Sequence, residues 1–157
     1  MLGVQPSELD YKQQADLWLE IPKLGVEASI VGVPKVSGEW DVRWLGDMAG
    51  WLESTAFPTW EGNTVITAHV WDVFDTPGVF ADLKSMAFGD QFSIHFGDSE
   101  YIYEVRENYV VYADDRSVFD HSETDIVTLM TCEGYSKTMD GYLYRRIVST
   151  VLVDIRP

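Results

Sequence analysis

From Leu17 onward the apolar residues fall in short runs, many of them alternating with polar ones, and each run is closed by turn residues. Runs of this kind at 17–21, 27–33, 64–70, 91–96 and 101–105 predict strands, because a period of two sends successive side chains to opposite faces. Further strands are predicted at 109–112, 126–131 and 146–155, the last rich in β-branched residues. The beginning of the chain reads differently. Ser7 follows Pro6 and precedes Asp10 by three positions, and the polar run 11–16 would continue a short lead-in helix from that cap. Two more short helices are predicted at 46–54 and 79–86. About eight short strands, with helices confined to connections, predict an all-β fold, and a closed barrel is preferred over a sandwich. No repeat, low-complexity tract or Pro/Gly/Ser linker divides the chain, so 17–157 reads as one domain after an extension at 1–16.

Composition adds limits. With 157 residues, 46% apolar and 13% aromatic, the chain can bury one sizeable core. A net charge of −15 opposes a polyphosphate backbone or an anionic membrane surface as main partner, so no nucleic acid is expected. The single cysteine excludes an internal disulfide, a multi-cysteine zinc site and a CxxC redox pair. No apolar stretch is long enough to cross a bilayer, and Gln5, Ser7, Glu8 and Asp10 break any signal-like run, so membrane association is expected only through an anchor absent from this chain. Asp114, Asp115, Glu123 and Asp125 are close in sequence but lack a recognisable cation-loop spacing. They read as a solvated face, and neither a metal nor another cofactor is expected.

The lone cysteine, Cys132, stands where the apolar strand Asp125-Ile-Val-Thr-Leu-Met-Thr turns into a polar loop. A side chain there is held by a rigid sheet yet faces outward, which suits a nucleophile, although position alone leaves a structural thiol open. A thiol needs a base or a nearby cation to become a thiolate. Of three histidines, His69 ends the apolar strand Thr64-Val-Ile-Thr-Ala-His, His95 lies inside an alternating strand, and His121 sits in a polar connection. Arg145 and Arg146 begin the last strand, and a fixed guanidinium could stabilise an oxyanion. Adjacent strand residues face opposite ways, so only one of the two can serve a given site.

The order His, Cys, Arg resembles that of the sortase family. Thr128-Leu-Met-Thr-Cys132 matches the TLxTC signature, with Arg145 following at the start of the last strand. Asn63-Thr-Val-Ile-Thr-Ala-His69 is similar to the strand that delivers the sortase histidine, although Ala68 stands where many members carry glycine. Gly78-Val-Phe80-Ala-Asp-Leu83 with Gly89-Asp90 resembles the family's G-x-F-x-x-L…GD segment, and Leu19-Glu-Ile-Pro-Lys-Leu-Gly25 its opening strand. The family's small residue five positions after the arginine falls on Thr150 if the arginine is Arg145, which favours it over Arg146.

The resemblance implies a closed eight-stranded barrel and a cysteine transpeptidase of the bacterial cell surface. Cys132 would attack the Thr carbonyl of an LPxTG-like sorting signal, Arg145 would stabilise the oxyanion, and His69 would protonate the leaving amine. An amino group of a peptidoglycan precursor or a pilin lysine would then resolve the thioester. Thr131, Leu129 and Ala68 would help shape the substrate site, and the stretches 70–78 and 112–125 would line its groove. The implied location is the extracytoplasmic face of the membrane. An L,D-transpeptidase is disfavoured, because residues 121–132 lack the glycine that accompanies its histidine. The alternative of another class is a non-catalytic peptide-binding module that uses Trp40, Trp44, Trp51, Trp60 and Trp71 for recognition.

Overall fold

The computed structural model describes residues 11–71 and 76–157. Its strands are β1 (Lys12–Ile21), β2 (Val26–Val33), the two-residue pair β3 (Lys35–Val36) and β4 (Glu39–Trp40), β5 (Ala49–Leu52), β6 (Gly62–Thr67), β7 (Gln91–Phe96), β8 (Ser99–Tyr112), β9 (Asp125–Ser136) and β10 (Gly141–Arg156). Eight of them close a barrel in the order β1-β2-β5-β6-β9-β10-β8-β7, as expected, while β3 and β4 form a separate small hairpin. The β2–β5 and β6–β9 pairs are parallel and the rest antiparallel.

Period-two burial produces two apolar layers. Leu19, Ile30, Ile66, Phe92, Ile94, Tyr103, Leu129 and Val148 fill the interior, together with Phe80, Leu83 and Met86 from the β6–β7 connection. Val31, Val33, Val65, Met130 and Ile147 belong to a second cluster with Leu45, Leu52 and Val118. Neighbouring residues of one strand, such as Val65 and Ile66 or Leu129 and Met130, thus divide between the layers. Trp40 of β4 packs on the outer one, as do Val42 and Phe119 from the connections.

Several expectations need correction. The lead-in helix predicted at 7–16 lies outside the described residues in its first part, and from Lys12 the chain is already strand. Lys12 and Gln13 pair with Gly32 and Val31, and after an irregularity containing Asp16 at φ 58° the pairing resumes at Trp18. A sheet ladder uses main-chain groups, so a polar run can join it despite helical signals in its side chains. Within the helix predicted at 46–54, residues Ala49–Leu52 are instead strand β5. Its Gly50 packs so closely on β2 that an added Cβ would stand 2.7 Å from Val33 Cγ2, and pairing on both sides overrides local preference. Within 79–86 the bonds Ala81 N–H to Gly78 O, Leu83 N–H to Phe80 O and Met86 N–H to Leu83 O all span three residues. The segment is therefore a series of tight turns with one 3-10 turn at Leu83–Ser85. Finally, the predictions at 101–105 and 109–112 are parts of one long strand, and the strand predicted to run to Val70 ends at Thr67.

Candidate active site

Cys132 lies inside β9, one residue beyond Thr131 and two beyond Met130, because the strand continues to Ser136 and does not turn into a loop at the cysteine as the sequence suggests. Since Val127 and Leu129 point into the barrel and Met130 into the outer layer, alternation places Cys132 on the outer face. On β10, Ile147 is outer and Val148 inner, so Arg145 is outer and Arg146 inner. Arg145 is the residue directly opposite Cys132 in the ladder, and directly opposed residues share a face. The adjacent guanidinium is committed elsewhere: Arg146 Nε and Nη2 donate to the Glu133 carboxylate at 2.6 and 2.7 Å, and Nη1 donates to Asn108 Oδ1 at 3.0 Å. Arg145 Nη1 donates only to the Tyr144 carbonyl, at 3.1 Å, and no carboxylate among the described residues forms an ion pair with it.

His69 comes from the other neighbour of β9. The parallel β6–β9 ladder ends at Thr67 opposite Met130, and side chains carry its register further. The Thr67 hydroxyl donates to Met130 O, and the Thr131 hydroxyl donates to Ala68 O, each at 2.8 Å. Two positions past the ladder's end, that register brings His69 level with Cys132. The histidine's main chain is fixed from behind, where Phe80 N–H donates to His69 O at 3.0 Å and Gly78 N–H donates to Val70 O at 2.9 Å. Gly78 passes so close that a Cβ would stand 2.2 Å from His69 O. The His69 ring presents Nε2 buried and without a hydrogen-bond partner. The other histidines lie elsewhere: His95 stacks on Trp18 at 3.9 Å between centroids, and His121 sits against Gly62 at the opposite end of β6.

Two cavities meet at Cys132. One, of about 310 Å³, is lined on the outer face by Cys132, Arg145, Thr67, Met130, Leu52, Val42, Trp40 and Glu39, with Ala113–Arg116 and Phe119 from the β8–β9 connection. The other, of about 220 Å³, opens at the barrel end and is lined by Cys132, Thr131, Glu133, Gly134, Tyr135, Tyr142, Arg146, Val70, Trp71, Phe80, Ala81 and Lys84. His69 lines neither. A larger cavity of about 400 Å³, among Glu27, Asp47, Gly78 and Asp82, contains none of the three candidate residues. Burial pushes the Cys132 thiol above its ordinary pKa, and the Arg145 guanidinium works in the opposite direction.

Leu129 and Ala68, expected to help shape a substrate site, the first by packing, are core residues and line neither cavity at Cys132. Leu129 has no exposed surface and Ala68 is 4% exposed, both inside the barrel, because their parity along β9 and β6 points them inward. Thr131 does border the barrel-end cavity, but its hydroxyl is occupied by Ala68 O. The stretch 112–125, expected to line a groove, supplies Ala113–Arg116 and Phe119 to the outer cavity, beside Trp40, whereas Glu133, Asn108 and Tyr142 were not anticipated from the sequence. The only local signal for Glu133 was a carboxylate one residue from Cys132. One group among the described residues, Glu20, His95 and Glu100, brings three possible metal-ligand atoms within 4.8 Å of one another, but its strands β1, β7 and β8 carry none of the three candidate residues, and His95 Nε2 already contacts Glu20 at 2.9 Å. No helix among the described residues is long and apolar enough to cross a membrane.

Comparison with known proteins agrees with this architecture. The family model described as the Sortase domain matches residues 19–153. No curated protein matches. Among solved structures, the chain is similar to a Clostridium perfringens sortase D5 transpeptidase, at TM-score 0.71 and 23% identity, covering 92% of this chain and 83% of that one. It is similar to sortase A from Corynebacterium diphtheriae at TM-score 0.75 and 23% identity, covering 93% of this chain and 64% of that one. Sortase C from Streptococcus pneumoniae, a structure concerned with catalysis and pilin substrate specificity, gives TM-score 0.72 and 27% identity, with 90% of this chain and 70% of that one covered. With the match running from β1 to β10 and the closed barrel in place, the chain belongs to the sortase family.

Proposed function

We propose that this chain is a transpeptidase that cleaves an LPxTG-like sorting signal after threonine and transfers the acyl group to an amine, with Cys132, His69 and Arg145 as its catalytic residues. The observation that carries the reading is the direct opposition of Cys132 and Arg145 on one face of the β9–β10 ladder, bordering a single cavity. In the free protein burial favours the neutral thiol, so a proton must leave before attack. His69 is the imidazole available to take it. The thiolate sulfur then adds to the threonine carbonyl carbon, and Arg145, which has no competing carboxylate among the described residues, donates to the resulting oxyanion. His69 returns its proton to the departing amine, the C–N bond breaks, and a thioester to Cys132 remains. An incoming amine, from a peptidoglycan precursor or a pilin lysine, reverses these steps and frees the thiol. This chemistry needs no bound cofactor. We place the protein at the extracytoplasmic face of a bacterial membrane, where secreted proteins bearing such signals emerge.

The test incubates the protein with a labelled LPxTG-type peptide and triglycine, beside Cys132→Ala, and follows products by intact-protein and peptide mass spectrometry. Cleavage after threonine with transfer to the amine, absent in the variant, is expected. No thioester and no product across several signal variants and amines, in a folded sample, would replace this reading with a non-catalytic peptide-binding module.

A further inference from the structure

Asn108 lies on β8, which carries none of the three candidate residues, yet its amide joins the two segments that flank the thiol. It stands opposite Val148 in the β8–β10 ladder, and Val148 points into the barrel, so Asn108 shares that face with Arg146 two positions along β10. Its Oδ1 accepts from Arg146 Nη1 at 3.0 Å, while Nδ2 donates to Met86 O at 2.7 Å and to Lys84 O at 3.1 Å. An amide suits all three bonds, because the guanidinium needs an acceptor and the two carbonyls need donors.

From Asn108 a bonded path runs each way. Toward the thiol, Arg146 Nε and Nη2 hold the carboxylate of Glu133, the residue after Cys132. Toward the imidazole, Met86 N–H donates to Leu83 O, Leu83 N–H donates to Phe80 O, and Phe80 N–H donates to His69 O. Phe80, Leu83 and Met86 are all buried, so this turn is packed firmly on the core. The preceding side of the histidine is held directly by β9, where the Thr131 hydroxyl donates to Ala68 O. The two segments that Asn108 joins also wall the barrel-end cavity: Cys132, Glu133 and Arg146 come from one, and Phe80, Ala81 and Lys84 from the other.

Resting on the transpeptidase reading of this site, we infer that Asn108 is a positioning residue, which sets the placement of His69 against Cys132 by locking the turn at 80–86 to Arg146. A plainer account makes it a cap that satisfies two carbonyls around the 3-10 turn and serves stability alone. The two accounts part on whether its loss is felt at the thiol.

The experiment compares Asn108→Ala with Val105→Ala, a cavity-forming change at a buried residue of the same strand. Thermal melts give the stability lost in each, and rates are taken well below both melting temperatures. With a labelled LPxTG-type peptide, Asn108→Ala should lower kcat by about 10- to 100-fold and leave KM within about two-fold of native, because a misplaced base slows the reaction more than it weakens binding. Val105→Ala should keep both constants within about two-fold of native. Asn108→Asp retains an acceptor for Arg146 but sets a carboxylate against two carbonyls. It should resemble the alanine variant, and it decides by the same criterion if that variant does not fold. A native kcat in the folded Asn108 variant, or an equal loss in Val105→Ala, would overturn the inference. If the native protein cleaves no peptide, the transpeptidase reading falls separately. Alkylation of Cys132 by iodoacetamide, followed against pH, then decides: the Asn108→Ala profile should shift as that of His69→Gln does, and a profile matching the native one rejects the inference.

Discussion

At the scale of single residues, the thiol and the two arginines make different demands. Burial raises the Cys132 pKa, and Arg145 opposes that rise without cancelling it. The thiolate fraction of the free protein should therefore still be growing at the ordinary thiol value of 9.0. Alkylation by iodoacetamide, followed against pH, should keep accelerating past that point, and Arg145→Ala should move the curve further toward alkali. A plateau near neutrality in the native protein would contradict this account. Arg145 and Arg146 separate by type of loss. Arg145→Ala should lower kcat/KM by about 10²- to 10³-fold with a nearly unchanged melting temperature, since it removes the proposed oxyanion donor and breaks no ion pair among the described residues. Arg146→Ala leaves the half-buried Glu133 carboxylate unpaired and should cost about 1–3 kcal/mol of stability in a denaturant titration. Both arginines were visible in the sequence as a pair of which one could face the site. The register opposite Cys132, together with Glu133, supports Arg145.

At the scale of elements, the groove depends on how the β8–β9 connection is tied to the barrel. Asn63, buried at the start of β6, makes three bonds there: Nδ2 donates to Val118 O at 2.9 Å and to Asp120 O at 3.0 Å, and Oδ1 accepts from the Thr128 hydroxyl at 2.7 Å. The amide thus uses both of its donors on a loop that contributes Asp114, Asp115 and Phe119 to the cavity. Asn63→Ala should cost about 2–4 kcal/mol, because it leaves buried groups unpaired, and should raise peptide KM more than it lowers kcat. Thr128→Val, which removes only the third bond, should cost about 1–2 kcal/mol and leave KM close to native. Thermal melts and initial-rate kinetics on both variants check the ordering, and a larger KM effect from Thr128→Val would reverse the assignment. None of this was legible in the sequence, where Asn63 was only the first letter of a histidine-bearing strand. Its partners lie 55 and 57 residues away.

At the scale of the whole molecule, a charge of −15 sets a repulsion that salt and mild acid relieve. Several carboxylates are nevertheless held below their ordinary pKa: Asp41 by Arg43, Asp90 by Lys23, and Glu104 by Gln91 and Arg106. A depressed carboxylate contributes stability above its unfolded pKa and loses it as pH falls through the folded one. The melting temperature should therefore rise modestly from pH 8 toward about pH 5–6 as repulsion eases, then drop below about pH 4 as these groups protonate. At pH 8, added NaCl should raise it. A fall with salt would mean that attractive pairs outweigh the excess of negative charge.

The sequence by itself determined that the chain is built of short strands around one apolar core, that it carries a single thiol directly after Thr128-Leu-Met-Thr, and that histidine, cysteine and arginine come in the order of the sortase family. Those are local properties, carried by period, turn residues and short motifs. Tertiary structure decided what depends on partners distant in the chain. Lys12 and Gln13 became strand because β2 offered a ladder, and 49–52 did so because β2 and β6 flank them. Leu129 and Ala68 turned inward, Cys132 and Arg145 outward, and Arg146 toward Glu133. Parity along a strand can be read from sequence, but which parity faces the core, and which residue stands opposite, is fixed only when the strands pair.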